Sequence, residues 1–274
     1  VTEKRKTGTA EWAEVNLNIA QGCSHGCRYC YARHNAVTRF KRVEADSWPT
    51  EVVDQARVTK RYGLREGKTI MFPTAHDITP AILDDCVTVL KKVLAAGNQV
   101  LIVTKPHLEC VQRLCADLEE WQDQVLFRFT IGATDDEVLS FWEPNAPTFE
   151  ERMDSLAFAR TRRWATSVSI EPMLDPKNID VLVLAVQQWV TETIWIGKMN
   201  HIRMRCPDVD DATVTALEAE ITDEKILAMV DRFEANPLID SKKVRTQSSS
   251  SSRRQRSRDR RTHPGQVHEE ARSR

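Results

Sequence analysis

The sequence lacks any apolar stretch approaching the roughly 18 residues that a membrane span needs. Its first ten residues, Val1 to Ala10, are too charged for a secretory leader. Both absences make this a chain expected in the cytoplasm, with no membrane among its partners. Thiols stay reduced there, so seven cysteines, an odd number, argue for metal or redox chemistry rather than a disulfide framework. No second C-x2-C pair accompanies the first, which excludes the usual ligand pattern of structural zinc. A Gly-rich dinucleotide fingerprint is also missing after the first β-rich run. A large charge of either sign is absent too, but the net −1 conceals a split. Residues 241–274 carry 11 Lys+Arg against 3 Asp+Glu, net +8, which leaves 28 against 37, net −9, over residues 1–240.

With 274 residues, 41% of them hydrophobic, there is material for one large domain or two small ones with a proper core. Short β-rich runs recur at residues 14–20, 68–72, 99–104, 124–130, 165–170 and 192–197. Segments of helical spacing lie between them, from about Pro49 to Tyr62, His107 to Leu118, Phe149 to Arg162 and Ile179 to Val190. Another, with apolar residues from Ile82 to Leu94, is opened by Thr79 as N-cap with Pro80 behind it and closed by Gly97. Strand and helix in alternation imply a parallel sheet, because each parallel return needs a crossover. The fold class is therefore α/β, an incomplete (β/α)6 barrel over residues 1–205. A C-terminal helical extension follows over 206–240, with one or two helices between Asp210 and Phe233. Residues 241–274, which include "SSSSSRRQRSRDRR", have no hydrophobic period and are expected to be a disordered basic tail. Such a tail is either solvated chain, a non-functional extension or an electrostatic clamp that makes the protein a nucleic-acid-binding module.

In a β/α barrel, chemistry collects where strands end and loops begin. There, "NLNIAQGCSHGCRYCYARHN", residues 16–35, places Cys23, Cys27 and Cys30 in C-x3-C-x2-C spacing. Gly22 and Gly26 in the same loop let backbone approach an inorganic core closely. Three thiolates on a four-iron cubane leave one iron open, the usual mark of a catalytic metal position. The rival reading is a non-catalytic electron-transfer protein whose remote fourth ligand is Cys206 in "RCPD", since ferredoxin loops are often completed by a cysteine before proline.

The cysteine spacing, with the aromatic Tyr29 directly before the last cysteine and a first strand ahead of it, resembles the radical S-adenosylmethionine superfamily. That resemblance implies a 4Fe-4S cluster on Cys23, Cys27 and Cys30 whose open iron is chelated by S-adenosylmethionine (SAM). It further implies an electron donor such as flavodoxin or ferredoxin. Reductive cleavage of the sulfonium then yields a 5′-deoxyadenosyl radical that abstracts a substrate hydrogen. From about Asn16 to Asn200, "IVTKPHLECVQRL", "FRFTIG" and "FWEPNAPTFEERMDSL" look like the spore photoproduct lyase branch of that superfamily. By that likeness Lys105 meets the SAM carboxylate in a charge-assisted bond and Thr130 meets the ribose. On the bland reading Lys105 is a solvated strand-end lysine and Thr130 simply a good strand residue.

"FPTAHDIT" ends the second strand without the Gly-Gly-Glu stretch that often receives the SAM amino group, and offers Thr74, His76 and Asp77 instead. Asp77 is the best acceptor for an ammonium. Thr74 stands where the lyase carries a hydrogen-returning cysteine. An alcohol O–H is too strong a bond to replace a thiol, so repair of thymine dimers is not expected. His76 reads equally as a proton-transfer residue or a packed loop histidine. Glu171 and Lys198, with Asn200, complete the rim: Glu171 accepts from SAM or substrate, Lys198 binds an acidic group, or the two pair across the barrel mouth. His76, Glu171 and Lys198 are thus the catalytic candidates, and Tyr29, Thr74, Asp77, Lys105, Thr130 and Glu171 the cofactor-binding ones. Cys86, Cys110 and Cys115 read as core. The proline-bearing "EPNAPTFEER" loop reads as a lid.

Overall fold

A computed structural model describes residues 8–239 of the chain. In chain order, strands β1 (Val15–Asn16) and β2 (Ala20–Gln21) precede helix α1 (Tyr31–Arg33), which runs on as a π-helical segment, His34–Arg39. Then come β3 (Val52–Val53), α2 (Gln55–Thr59), β4 (Thr69–Phe72), α3 (Leu83–Ala95), β5 (Gln99–Thr104), α4 (Leu108–Asp117) and β6 (Val125–Thr130). The chain continues through α5 (Asp136–Trp142), α6 (Phe149–Thr161), β7 (Ala165–Ile170), α7 (Ile179–Gln187), β8 (Ile194–Ile196), α8 (Ile202–Arg205), α9 (Asp211–Glu220) and α10 (Asp223–Arg232). Six strands form one parallel sheet in the order β1-β4-β5-β6-β7-β8, while β2 and β3 make a separate antiparallel pair. Because β1 and β8 are both edges, the sheet is a partial barrel, the α/β architecture expected from the alternation. Among the described residues no helix is long and apolar enough to cross a membrane.

The strands divide the interior by their period of two. Ile70, Phe72, Ile102, Phe127, Phe129, Val168 and Ile170 point outward into the main core, where α3, α4, α6 and α7 cover them. The alternate residues Met71, Leu101, Val103 and Leu126 point inward and meet Trp12 and Ala13, which fill the floor of the barrel. The ring of Trp12, just ahead of β1, lies edge-on to that of Trp195 on β8, 5.4 Å between centroids, so the N-terminal segment bridges the open seam of the sheet. Buried residues of the C-terminal helices, including Val214, Leu217, Ile226 and Met229, belong to the same main core as the barrel.

Two expected elements come out differently. The run 14–20 is not one strand: Leu17 N–H still donates to Met71 O at 3.0 Å, but Asn18 and Ile19 then turn to the loop after β4, and Ala20–Gln21 pairs with Val52–Val53. That pairing takes the first half of the expected 49–62 helix, so only Gln55–Thr59 is helical, capped by the Asp54 carboxylate. Likewise Thr79 does not cap α3 with its side chain. Its hydroxyl donates to Glu51 Oε2 at 2.5 Å, and a 3-10 turn, Pro80–Ile82, leads into the helix. The tail expected over 241–274 lies outside the described residues.

Candidate active site

The cysteine loop leaves β2 over backbone that accommodates no side chain. Gly22 has φ +94°, and a Cβ there would sit 2.1 Å from Thr50 O. This close approach is to the chain's own backbone, and it lets Cys23 N–H reach Trp48 O at 3.0 Å. Glu51 Oε1 accepts from both the N–H and the hydroxyl of Ser24, each at 3.1 Å. On the other side, Asn145 N–H donates to His25 O (3.1 Å), Asn145 Nδ2 donates to Ser24 O (3.0 Å) and Arg28 N–H donates to Trp142 O (2.9 Å). The segment expected as a lid is therefore a brace for the cysteine loop. Cys30 caps α1, its Sγ accepting from Arg33 N–H at 3.3 Å.

Burial, reinforced by Asp77, pushes the Cys23 thiol up to about 12, and burial also raises Cys27 and Cys30. Lys105, at the end of β5, lowers all three, while Cys30 opposes ionisation of Cys23 and Cys27, and Cys23 that of Cys27. Desolvation disfavours the Lys105 charge, but Cys27, Glu143, Asp77 and Cys23 more than reverse this, so its pKa stands above the ordinary lysine value. The chain thus gathers three thiols under one retained ammonium. Among the described residues no three His, Cys, Asp or Glu side chains converge on a point suited to a single ion. Three thiols are one short of the four ligands of a structural zinc site, and their chemistry fits a cluster that keeps one iron open.

Asp77 is buried, and its oxygens are committed to the protein. It accepts from Ile78 N–H at 2.9 Å, Lys105 N–H at 3.1 Å and the Thr104 hydroxyl, with Lys105 Nζ 3.7 Å and His25 Nδ1 3.2 Å away. Burial raises its pKa, but His25, Lys105 and Thr104 reverse that and hold it below the usual carboxylate range. His25 Nε2 meets His107 Nε2 at 3.0 Å, and His107 Nδ1 lies 3.6 Å from Glu151 Oε1. A string of polar side chains thus runs from Lys105 through Asp77 to α6, and its members His25, His107 and Glu151 were not singled out in the sequence.

His76 has both ring nitrogens taken by backbone, Nε2 accepting from Ile19 N–H at 3.1 Å and Nδ1 donating to Asp77 O at 2.8 Å. Burial lowers its pKa. His76 thus ties Ile19 to the loop after β4. Thr74 is held by Asn18: its hydroxyl accepts from Asn18 Nδ2 (2.7 Å), its N–H donates to Asn18 Oδ1 (2.7 Å), and its carbonyl accepts from the Tyr31 hydroxyl. Tyr29 donates its hydroxyl to the buried Glu143, which also accepts from Arg152 Nη2 at 2.6 Å, while the Tyr29 ring lies 5.9 Å from Lys105 Nζ.

The rim expected from Glu171 and Lys198 separates. Lys198 pairs with Asp223 of α10, not with Glu171, and Asn200 is exposed. Glu171 accepts from Trp195 Nε1 at 2.6 Å, and burial raises its pKa to about 7. Its carboxylate lies over Gly197, where a Cβ would come within 2.6 Å of Glu171 Cδ. Below it, Thr130 and Ser169 are in register on β6 and β7, and Ser169 pairs with Trp195 on β8. Arg128 lies beneath, 4.8 Å from the Trp12 ring centroid, with Nε donating to Ser167 Oγ at 3.0 Å, and burial brings its pKa down to about 10. Ser169 is fully buried, and among the described residues its hydroxyl has no partner. Such a group inside a barrel needs a partner from outside the fold.

A family model described as the Radical SAM superfamily matches residues 17–185. The chain belongs to the radical SAM superfamily. The uncharacterized protein ORF301 of Acidianus two-tailed virus is 29% identical over 178 residues, which cover 61% of this chain and 58% of that protein. Among solved structures, a mutant of spore photoproduct lyase superposes with TM-score 0.51 at 16% identity, over 81% of this chain and 65% of that one. Spore photoproduct lyase complexed with dinucleoside spore photoproduct gives 0.49 at 16% identity, over 80% and 64%. This radical SAM chain therefore spans less than two thirds of the length of each of these relatives, and its likeness to the lyase mutant is one of fold.

Proposed function

We propose that this chain is a radical SAM enzyme of the cytoplasm that holds a 4Fe-4S cluster on Cys23, Cys27 and Cys30 and binds SAM across the barrel mouth. When bound, the cluster and SAM supply one-electron reduction of the sulfonium and, through it, hydrogen abstraction from a substrate. Lys105 carries the anionic end of SAM: the acids and thiols around it retain its ammonium against the cost of burial, and it lies at the strand end beside the loop. The expectation that Asp77 takes the SAM ammonium is replaced, because its oxygens already hold Lys105, His25 and two backbone N–H groups. In this reading Asp77 positions Lys105, and the hydroxyls of Thr130 and Ser169 and the Glu171 carboxyl supply polar groups further round the barrel. Tyr29 gives SAM its ring and not its hydroxyl, which Glu143 takes.

The observation that carries this reading is the family match over residues 17–185, within which the three-cysteine loop and Lys105 come together, Lys105 Nζ lying 5.9 Å from the ring of Tyr29 between Cys27 and Cys30. The electron-transfer alternative has no comparable support. Cys206 is packed in the main core, and the charges that bias its ionisation are Arg205 and Asp208 rather than the loop thiols.

Anaerobic reconstitution tests the proposal. Protein should take up about four irons and four sulfides, lost on changing Cys23, Cys27 or Cys30 to Ala and kept in Cys206→Ala. The reduced protein with SAM should release 5′-deoxyadenosine and methionine. An intact cluster that yields no deoxyadenosine under strong reduction would return the chain to electron transfer.

A further inference from the structure

Between Glu14 and Glu44 the chain has no acidic residue, yet it carries Arg28, Arg33, Arg39, Lys41 and Arg42. This basic strip stands out against the net −9 of residues 1–240, and it starts inside the cysteine loop. Two of its members are tied down. Arg28 Nε donates to Phe141 O at 2.5 Å, and Arg33 Nη1 lies 3.5 Å from Asp208 Oδ2. The other three are exposed, and among the described residues they join no ion pair.

The local backbone displays them. The helix capped by Cys30 Sγ widens into a π-helical turn over His34–Arg39, and the next turn holds Lys41 at φ +48°, outside the range that L-residues ordinarily adopt. Strained backbone and π-turns gather at functional sites. Phe40, 49% exposed, is stacked by the guanidinium groups of Arg39 and Arg42, 5.0 and 4.8 Å from its centroid. At about 1.5 Å rise per residue, Phe40 lies on the order of 15 Å along the segment from Cys30.

We infer that this basic strip is the docking surface for an acidic one-electron carrier protein. The inference rests on the cluster proposed above. The carrier is oxidised by one electron and the cluster reduced by one, with no atom transferred. An unpaired positive patch steers a negative partner, and electron transfer needs closeness to the cluster, not contact with the barrel mouth. A nucleic acid fits less well, because the Phe40 ring already carries two guanidinium groups and a base has to displace one to stack there.

The test uses the full chain with its cluster reconstituted, in wild-type form and with Arg39→Glu, Lys41→Glu and Arg42→Glu combined. Reduction of the cluster by a reduced, acidic flavodoxin-type carrier is followed by its visible absorbance. At low ionic strength the triple variant should be reduced at least tenfold more slowly, a difference that closes in about 1 M salt, where screening reaches about 3 Å. Iron content and reduction by dithionite should match wild type. Equal rates with the carrier, at equal iron content, overturn this inference alone. So does a variant that loses affinity for a labelled single-stranded oligonucleotide while the carrier still reduces it at the wild-type rate. Wild-type protein that takes up no iron overturns the cluster and this surface together.

Discussion

Arg152→Leu should damage this protein more than any exposed-charge change, and the damage should depend on pH. Arg152 and Glu143 are both fully buried, with Nη2 2.6 Å from Oε2, and Arg152 also donates to Pro147 O (2.8 Å) and Thr130 O (3.2 Å). Removing one member of a buried pair strands the other charge, at a cost of about 3–5 kcal/mol. Burial alone raises the Glu143 pKa, but Arg152, Lys105 and the Tyr29 hydroxyl reverse this and hold it below its ordinary value of 4.5. A depressed carboxylate contributes stability that is present above the unfolded pKa and lost as pH falls through the folded one. At pH 7 Arg152→Leu therefore carries its full penalty. Near pH 4 the stranded Glu143 takes a proton, and the penalty shrinks. Urea unfolding at both pH values measures this, with the Glu143→Leu, Arg152→Leu double variant expected to lie closer to wild type than Arg152→Leu does. A wild-type midpoint for Arg152→Leu at pH 7, or a loss independent of pH, would refute the reasoning.

Other consequences follow from the same geometry. Gly22→Ala forces Thr50 and the cysteine loop apart, so reconstituted iron should fall well below wild type as read by iron assay, while far-ultraviolet circular dichroism is kept. Lys105→Ala should weaken SAM binding by about 1.5–3 kcal/mol, the scale of a hydrogen bond to a charged group, as measured by equilibrium dialysis of the cluster-loaded protein. For Glu171 the sign is opposite to that of Glu143. Its pKa is raised from 4.5 to about 7, so its ionisation costs stability increasingly between those values, and Glu171→Gln should gain stability at pH 8 over wild type but not at pH 4. Reduced enzyme with SAM and dimer-containing DNA should release little thymine per deoxyadenosine, since the Thr74 hydroxyl is held by Asn18 and offers no weak bond to hydrogen.

The long β/α units were legible in the sequence because burial and period agree in them. Residues 99–104 and 165–170 are strands over the expected spans: Ile102, Val168 and Ile170 face the main core, while Leu101 and Val103 face the floor. Residues 14–20 and 49–62 misled because Asn18, Ile19, Val52 and Val53 follow a tertiary demand, the attachment of the cysteine loop, which outweighs local propensity. That Cys23, Cys27 and Cys30 share one loop and that Lys105 ends a strand could be read from spacing and position. His25 and Glu143 were not, although one lies between two cysteines and the other in the supposed lid. Their meaning depends on His107, Asp77, Tyr29 and Arg152, which lie far away in sequence. His76 and Lys198 look functional at strand ends, and only the backbone of Ile19 and the acid of α10 show what they hold.

Satisfied and unsatisfied polar groups divide the barrel between them. On the side of β4 and β5, Asp77, His107, Asn18 and His76 meet protein partners and His25 lies between His107 and Asp77, so their chemistry shapes the loop around Lys105. On the side of β6 to β8, Ser169 has no protein partner among the described residues, and Glu171 is held close to neutral above it. A buried hydroxyl left alone costs about 1–3 kcal/mol. A group already satisfied has little to offer a ligand, whereas an orphaned one recovers its cost when a ligand arrives. The function proposed above therefore places the ligand contacts beyond Lys105 at Ser169, Glu171 and their neighbours, on the far side of the barrel from the acids that the sequence places nearest the cysteines.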